Sequence, residues 1–265
     1  MSDGYLYAGD TPYGVDATNS DNATGLQAFL SDCATSHKCG VLPPGSLRYG
    51  APLIFPSYSH HWEIQGQSSK VTTLTYMGND PTLDQIKGEE CSDFNFQNLA
   101  LSSVTQMTAG RALWLKTCSW FGIDIEAQGK TFWNGVHLDS IQWAHMDGKL
   151  SDFSNKGLLI NGGIGGVPKA ELDLMRLVVG GMGDTAITVG GGFGGLRLGH
   201  VSITSCKRGF VQDRSLVNEG NREIFLSSNT LIDGCVADGV VVDDLGGLFH
   251  SSAWVASSGS GGYGR

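Results

Sequence analysis

Between Trp62 and Val255 the chain restarts a short, alternating apolar segment about every 26 residues. Its clearest marks are glycines followed by β-rich peptides: RALWL after Gly110, VHL after Gly135, LLI after Gly157, FVQ after Gly209 and VVV after Gly239. Their spacings are 25, 22, 52 and 30 residues, and TAITV after Gly183 and Asp184 divides the double interval into 26 and 26. FNFQNLAL, FGIDIEA, LDLMRLVV, GLRLGHVSIT and EIFLSSNTLI each alternate with period 2, the signature of a strand with one buried face. Units this short cannot bury an apolar face alone, so they stack on their neighbours into a solenoid. The pattern predicts an all-β parallel β-helix of about seven or eight coils over residues 50–256. Residues 1–49 read as an N-terminal segment with a capping helix, and 257–265 as a Gly/Ser-rich tail.

Composition narrows the partners. The 39 glycines suit corners that need positive φ, and only 16% of residues are charged. A net charge of −9 argues against nucleic acid, which demands a basic surface. No apolar run approaches the roughly 18 residues of a membrane span, and MSDGYLYAGD lacks the basic and apolar regions of a secretory signal. Six cysteines are too sparse for a disulfide scaffold. Cys91 and Cys118 lie 27 residues apart, and Cys206 and Cys235 lie 29 apart, both close to one coil, and the second pair is expected to stack as buried small apolar groups. Cys33 and Cys39 are expected as reduced thiols.

One helix is expected, about 23–37, where Leu26, Phe29, Leu30, Cys33 and His37 recur at helical spacing. Thr24 with Gln27 reads as its capping box, and Gly40 as its terminator. An amphipathic helix there covers the open end of the solenoid. The helix segment GVDATNSDNATGLQAFLSDC, then GVLPPGSLRYGAPLIFPS, then HHWEIQGQSS resembles the opening motif of the pectate-lyase-like superfamily of right-handed β-helices. The match runs in order and spacing over residues 10–70, with His37, Lys38 and Cys39 where small residues usually precede the strand. It implies a right-handed coil, and the character is closest to bacteriophage tailspikes and capsule depolymerases. The superfamily spans lyases, hydrolases, epimerases and tailspikes, so the resemblance leaves the reaction open.

Chemistry is expected on the outward face of successive strands, which stack about 4.8 Å apart. Alternation turns Asp124 and Glu126 outward on one strand, His145 and Asp147 on the next and Asp173 on the third. Stacked carboxylates repel and raise at least one pKa, which suits glycan cleavage by an acid and a base or nucleophile. Glu126 or Asp147 is the expected proton donor. The same set could ligate calcium, the one cofactor considered; Lys130 and Lys149, the nearest bases for a lyase, fall out of register. A second patch, Arg111, Trp114 and Lys116 with His137, Asp139 and Asn161, is the expected sugar-holding surface, although Trp114 could equally lie in the core. Trp120, Trp133 and Trp143 add to a density of indoles that leans towards carbohydrate. GxGxxG at Gly190, Gly192 and Gly195 runs into a period-2 strand where a dinucleotide site needs a helix. The loop from Val217 to Glu223 could wall a groove.

Three functions remain: a tailspike-like protein that binds and depolymerises a bacterial surface polysaccharide, a non-enzymatic virion attachment or structural protein, and a secreted polysaccharide lyase. The first implies a virion location, synthesis in the host cytoplasm, contacts with other tail proteins and a homotrimer that covers the solenoid's open end.

Overall fold

The computed structural model describes residues 4–162, 169–213, 223–243 and 248–256. The expected loop 217–223 apart from Glu223, most of the glycine run 162–168 and the tail 257–265 lie outside them.

Every strand pairing is parallel, and the chain winds as a β-solenoid of about seven turns. Each glycine-led peptide of the sequence repeat is one rung of an eight-stranded sheet: Arg111–Lys116, Asn134–Asp139, Leu158–Asn161, Thr185–Val189, Arg208–Asp213 and Asp238–Asp243, preceded by Leu53–Phe55 and Ile86–Glu89. The longer alternating segments build a second, fourteen-stranded sheet. Its central rungs are Ser92–Ser103, Ser119–Gln128, Gln142–Ser151, Lys169–Gly180 and Phe193–Thr204. These strands serve two walls at once. The first half of Ser92–Ser103 pairs with Trp62–Gln65 and its second half with Thr72–Tyr76; Phe193–Thr204 divides likewise between Glu223–Leu226 and Leu231–Asp233.

The two sheets enclose the core. Like side chains stack on like, because the coil repeat returns the same inward position every rung. Trp62, Phe94 and Phe121 stack at 4.8 and 5.2 Å between ring centroids, and Leu113, Val136, Leu158, Ile187 and Phe210 form a buried apolar ladder in register. Cys91, Cys118, Cys206 and Cys235 are buried, and all six cysteines are free thiols.

The cap helix spans Ala23–Ser36 and buries Leu26, Phe29, Leu30 and Cys33 against the first coil. Both expected end signals differ. Asn22 is the N-cap, and Gln27 does not fold back into a capping box; it clamps the backbone of Ile54 with two hydrogen bonds of 2.7 and 2.8 Å. Tertiary pairing to the coil replaces the local cap. The helix ends one turn before Gly40, at His37 in the left-handed conformation. Gly40 instead sits in the strand Cys39–Val41, where a Cβ would come within 2.5 Å of Cys33 Sγ and 2.6 Å of Phe29 Cζ. Its smallness lets the helix lie flat on the strand. Coiling has already begun there, since Cys39–Val41 and Gly45–Tyr49 pair with the next coil.

Candidate functional site

The central rungs of the larger sheet put one continuous outward face on display. Reading from corner to bend, its rows are Asp93–Asn95–Gln97, then Trp120–Gly122–Asp124–Glu126, then Trp143–His145–Asp147–Lys149, then Glu171–Asp173 followed by Arg176. The backbone registers are direct: Gly122 faces Asn95 and His145, Asp124 faces Gln97 and Asp147, and Asp173 faces His145 and Arg197. Asp124, Glu126, His145, Asp147 and Asp173 therefore do share one surface, with Ile123 and Ile125 inward and buried. The register within it differs from a simple stack of pairs. Asp124 is level with Asp147, while Glu126 is level with Lys149, which the sequence spacing leaves out of line.

Asp147 points outward yet is only 9% exposed, because the Arg176 side chain lies over it. Its two oxygens are both engaged by Arg176: Oδ1 accepts the backbone N–H at 3.0 Å, and Oδ2 accepts Nε at 3.1 Å and Nη2 at 2.6 Å. The contact arises from a bulge, since Met146 and Gly148 face Leu174 and Leu177, leaving two residues, Met175 and Arg176, opposite one. Asp124 has no such clamp. Burial first, and then the Asp147 charge, push its carboxyl above the usual carboxylate range, against the pull of Arg176. Glu126 is drawn off to the side, where Ser69 Oγ donates to Oε1 at 2.7 Å and Lys70 Nζ lies 3.6 Å from Oε2. The surroundings of Asp124 thus favour its neutral form.

Three features of this face escaped the sequence reading. Gly122 leaves a gap into which the His145 imidazole leans, since a Cβ there would meet His145 Cε1 at 2.4 Å and Asn95 Oδ1 at 2.5 Å. Trp120 and Trp143 stack on adjacent rungs at 4.5 Å and 21°, and both indoles are exposed. Beyond Arg176 a groove of about 310 Å³ continues between His200, Ser202 and Asn229, with Val178 and Leu231 on its walls. The tryptophans were visible as a dense cluster, but only the rung register shows that two of them meet. Arg176 depends on the bulge and left no periodic signal.

The other expected patch lies elsewhere. Arg111, Trp114, His137, Asp139 and Asn161 belong to the eight-stranded sheet, a different wall from the carboxylates. Trp114 points outward, not into the core, yet its ring is covered by Arg111 at 4.5 Å and Lys87 at 4.7 Å. Its Nε1 donates to Asp139 Oδ2 at 2.7 Å, and Asn161 Nδ2 donates to Asp139 Oδ1 at 2.8 Å, with His137 Nε2 3.0 Å from that oxygen. Burial opposes ionisation of Asp139, but these contacts to His137, Trp114 and Asn161 outweigh it and hold its pKa down to about 2. These contacts knit the polar patch together within the wall, while Arg111 Nη1 and Asn161 Oδ1 stay buried without a hydrogen-bond partner.

Among the described residues, no three His, Cys, Asp or Glu side chains are grouped to hold a metal. With both Asp147 oxygens on Arg176, the donors do not fit calcium. The glycine run at Gly190 and Gly192 leads into the strand Phe193–Thr204, which contains Gly195, not into a helix. No described helix is long and apolar enough to cross a membrane.

No protein-family model and no curated protein matches the chain. Among solved structures, ORF18 of Geobacillus virus E2 matches with a TM-score of 0.58 at 12% identity, over 90% of this chain and 50% of that one. The fold is an all-β, right-handed parallel β-helix. Two further similar β-helix structures have TM-scores of 0.46: the Dettilon tailspike protein, at 10% identity over 88% of this chain and 50% of that one, and alginate lyase from Paenibacillus sp. str. FPU-7, at 11% over 90% and 94%. This β-helix spans about half the length of the first two.

Proposed function

We propose that this β-helix is a tailspike-like protein that binds a bacterial surface polysaccharide along the outward face from Trp120 to Arg176 and depolymerises it there. The observation that carries the reading is the Asp124–Asp147 pair, two carboxylates level on adjacent rungs of one outward face. Strand spacing sets their backbones about 4.8 Å apart, which places both carboxyls beside one bound sugar, where one can protonate a glycosidic oxygen while its neighbour supports the sugar cation. Asp124, pushed towards its neutral form, supplies the proton. Asp147, oriented by Arg176, faces the developing positive charge, and His145 leans over Gly122 towards the same sugar. Exposed indoles on one side and the Arg176–His200 groove on the other give a chain of sugars a track across several rungs. A virion location, assembly with other tail proteins and trimerisation belong to the same reading.

The clamp on Asp147 favours one alternative, a surface that binds glycan and does not cut it. A capsule-clearing assay with product analysis, run beside a glycan array, separates the two. Cleavage by the wild type and a loss of about 100-fold or more in Asp124→Asn, with array binding retained, supports depolymerisation. Array binding without any product supports the binding-only reading, and cleavage by Asp124→Asn at the wild-type rate moves the site elsewhere.

A further inference from the structure

The corner that opens the outward face is built at an unusual cost. Asp93, Trp120 and Trp143 occupy one position on three successive rungs, and all three take the left-handed conformation, with φ of 53°, 55° and 47°. Glycine or asparagine adopts that conformation far more readily than a bulky aromatic does. The indoles nevertheless remain 58% and 45% exposed, so the arrangement does not serve to bury them. Stacking along the solenoid axis covers the inner faces and turns the outer ones towards the rungs before and after. The rung before carries Asp93, which pairs with His61. The rung after carries Glu171, level with Trp143 because Ala144 faces Leu172. Glu171 is exposed and makes no ion pair with a described residue.

An indole face carries negative quadrupole charge and attracts cations, more strongly when a carboxylate lies beyond it. The chain's net charge of −9 adds to the same preference. Sugar C–H groups also pack on such a face. We infer that the Trp120–Trp143 corner is a subsite for a protonated amino sugar, its ring on the outer face of Trp143 and its ammonium group against Glu171. This inference rests on the reading of the outward face as glycan-binding, and it adds the class of sugar. A neutral or uronate residue would lack the ion pair or meet Glu171 with like charge.

The test uses the full chain at pH 6 and three tetrasaccharide probes: a glucosamine oligomer, its fully N-acetylated counterpart and a glucuronate oligomer. Binding is followed by tryptophan fluorescence and by calorimetry. The glucosamine oligomer is expected to quench fluorescence and to bind at least about ten-fold more tightly than the other two. Glu171→Gln, a surface change that should fold normally, and Trp143→Ala should each weaken it by about ten-fold or more. Equal or tighter binding of the acetylated or glucuronate probe overturns the inference, as does an unchanged affinity in Glu171→Gln. If Trp120→Ala and Trp143→Ala lower the melting temperature and leave affinity untouched, the pair is a structural stack only and the subsite is refuted. If glucosamine binding meets these expectations but no surface polysaccharide is bound or cleaved, the subsite stands and the tailspike reading fails; the reverse result rejects the subsite alone.

Discussion

At the scale of single residues, two glycines shape the candidate site, and two aspartates on different walls respond to pH in opposite senses. Gly122 provides the space for His145, so Gly122→Ala should push the imidazole aside and lower glycan affinity or turnover about ten-fold. The exposed His145 can swing away, so the melting temperature should hardly move; a large fall in melting temperature would instead make Gly122 a folding requirement. Gly148 follows Asp147 at φ 117°, and a Cβ there would sit 2.0 Å from the Ile125 carbonyl oxygen. Gly148→Ala should therefore cost about 2 kcal/mol or more and loosen the Asp147–Arg176 clamp with it. The aspartates act on stability in opposite senses. Asp124 has a raised folded pKa, so its contribution is full below the unfolded carboxylate value of about 3.9 and is lost as pH rises through the folded one. Asp124→Asn should melt higher than wild type at pH 7, and that advantage should vanish at about pH 3, as read by calorimetric melting. Asp139 has the opposite sign. Its pKa of about 2 gives stability that is present above about pH 4 and lost as pH falls towards 2, so Asp139→Asn should flatten the acid limb of the melting curve.

At the scale of elements, the coil is held by stacks and not by pairs. Phe94 lies between Trp62 and Phe121, with both ring contacts near parallel. Phe94→Ala should destabilise the protein by about 3–5 kcal/mol, because a rigid backbone ladder cannot collapse into the space left; urea denaturation with an unchanged m-value checks this. A cost below about 1 kcal/mol would mean that the stack is dispensable. The bend of the larger sheet matters as much. Its strands are continuous where Asp124 and Asp147 lie, and they open into the turn at Ser227–Thr230 on one side and the loop containing Ser69 and Lys70 on the other.

At the scale of the whole molecule, the two ends of the described solenoid differ. The first coil is closed by the helix Ala23–Ser36, whereas the last described coil leaves Trp254 69% and Val236 72% exposed. Apolar side chains beside strand edges invite further pairing. The tailspike reading proposes a homotrimer, for which light scattering should give three times the chain mass without dilution-dependent dissociation at micromolar concentration. A monomer under those conditions would reject the trimer and leave the outward face as a site within one chain.

The sequence by itself determined the coil. Period-2 alternation and the recurring glycines are local signals, and each glycine-led peptide from Gly110 to Gly239 became a rung of one sheet. It also determined which side chains turn outward, because alternation along a strand needs no knowledge of neighbours; Asp124, Glu126, His145, Asp147 and Asp173 follow from it. What stands beside what was decided only by the tertiary structure. Coils vary in length, and bulges absorb the difference, so the level of Asp124 with Asp147, of Glu126 with Lys149 and of Arg176 with Asp147 could not be counted off the chain. The same cause separated the Trp114 patch from the carboxylates, since a coil has more than one wall and spacing alone does not say which wall a strand joins. Local end signals of the helix gave way for a related reason. Gln27 found the backbone of Ile54, and Gly40 made room for Cys33 and Phe29, because a packed contact across coils outweighs a cap that one residue can offer its own helix.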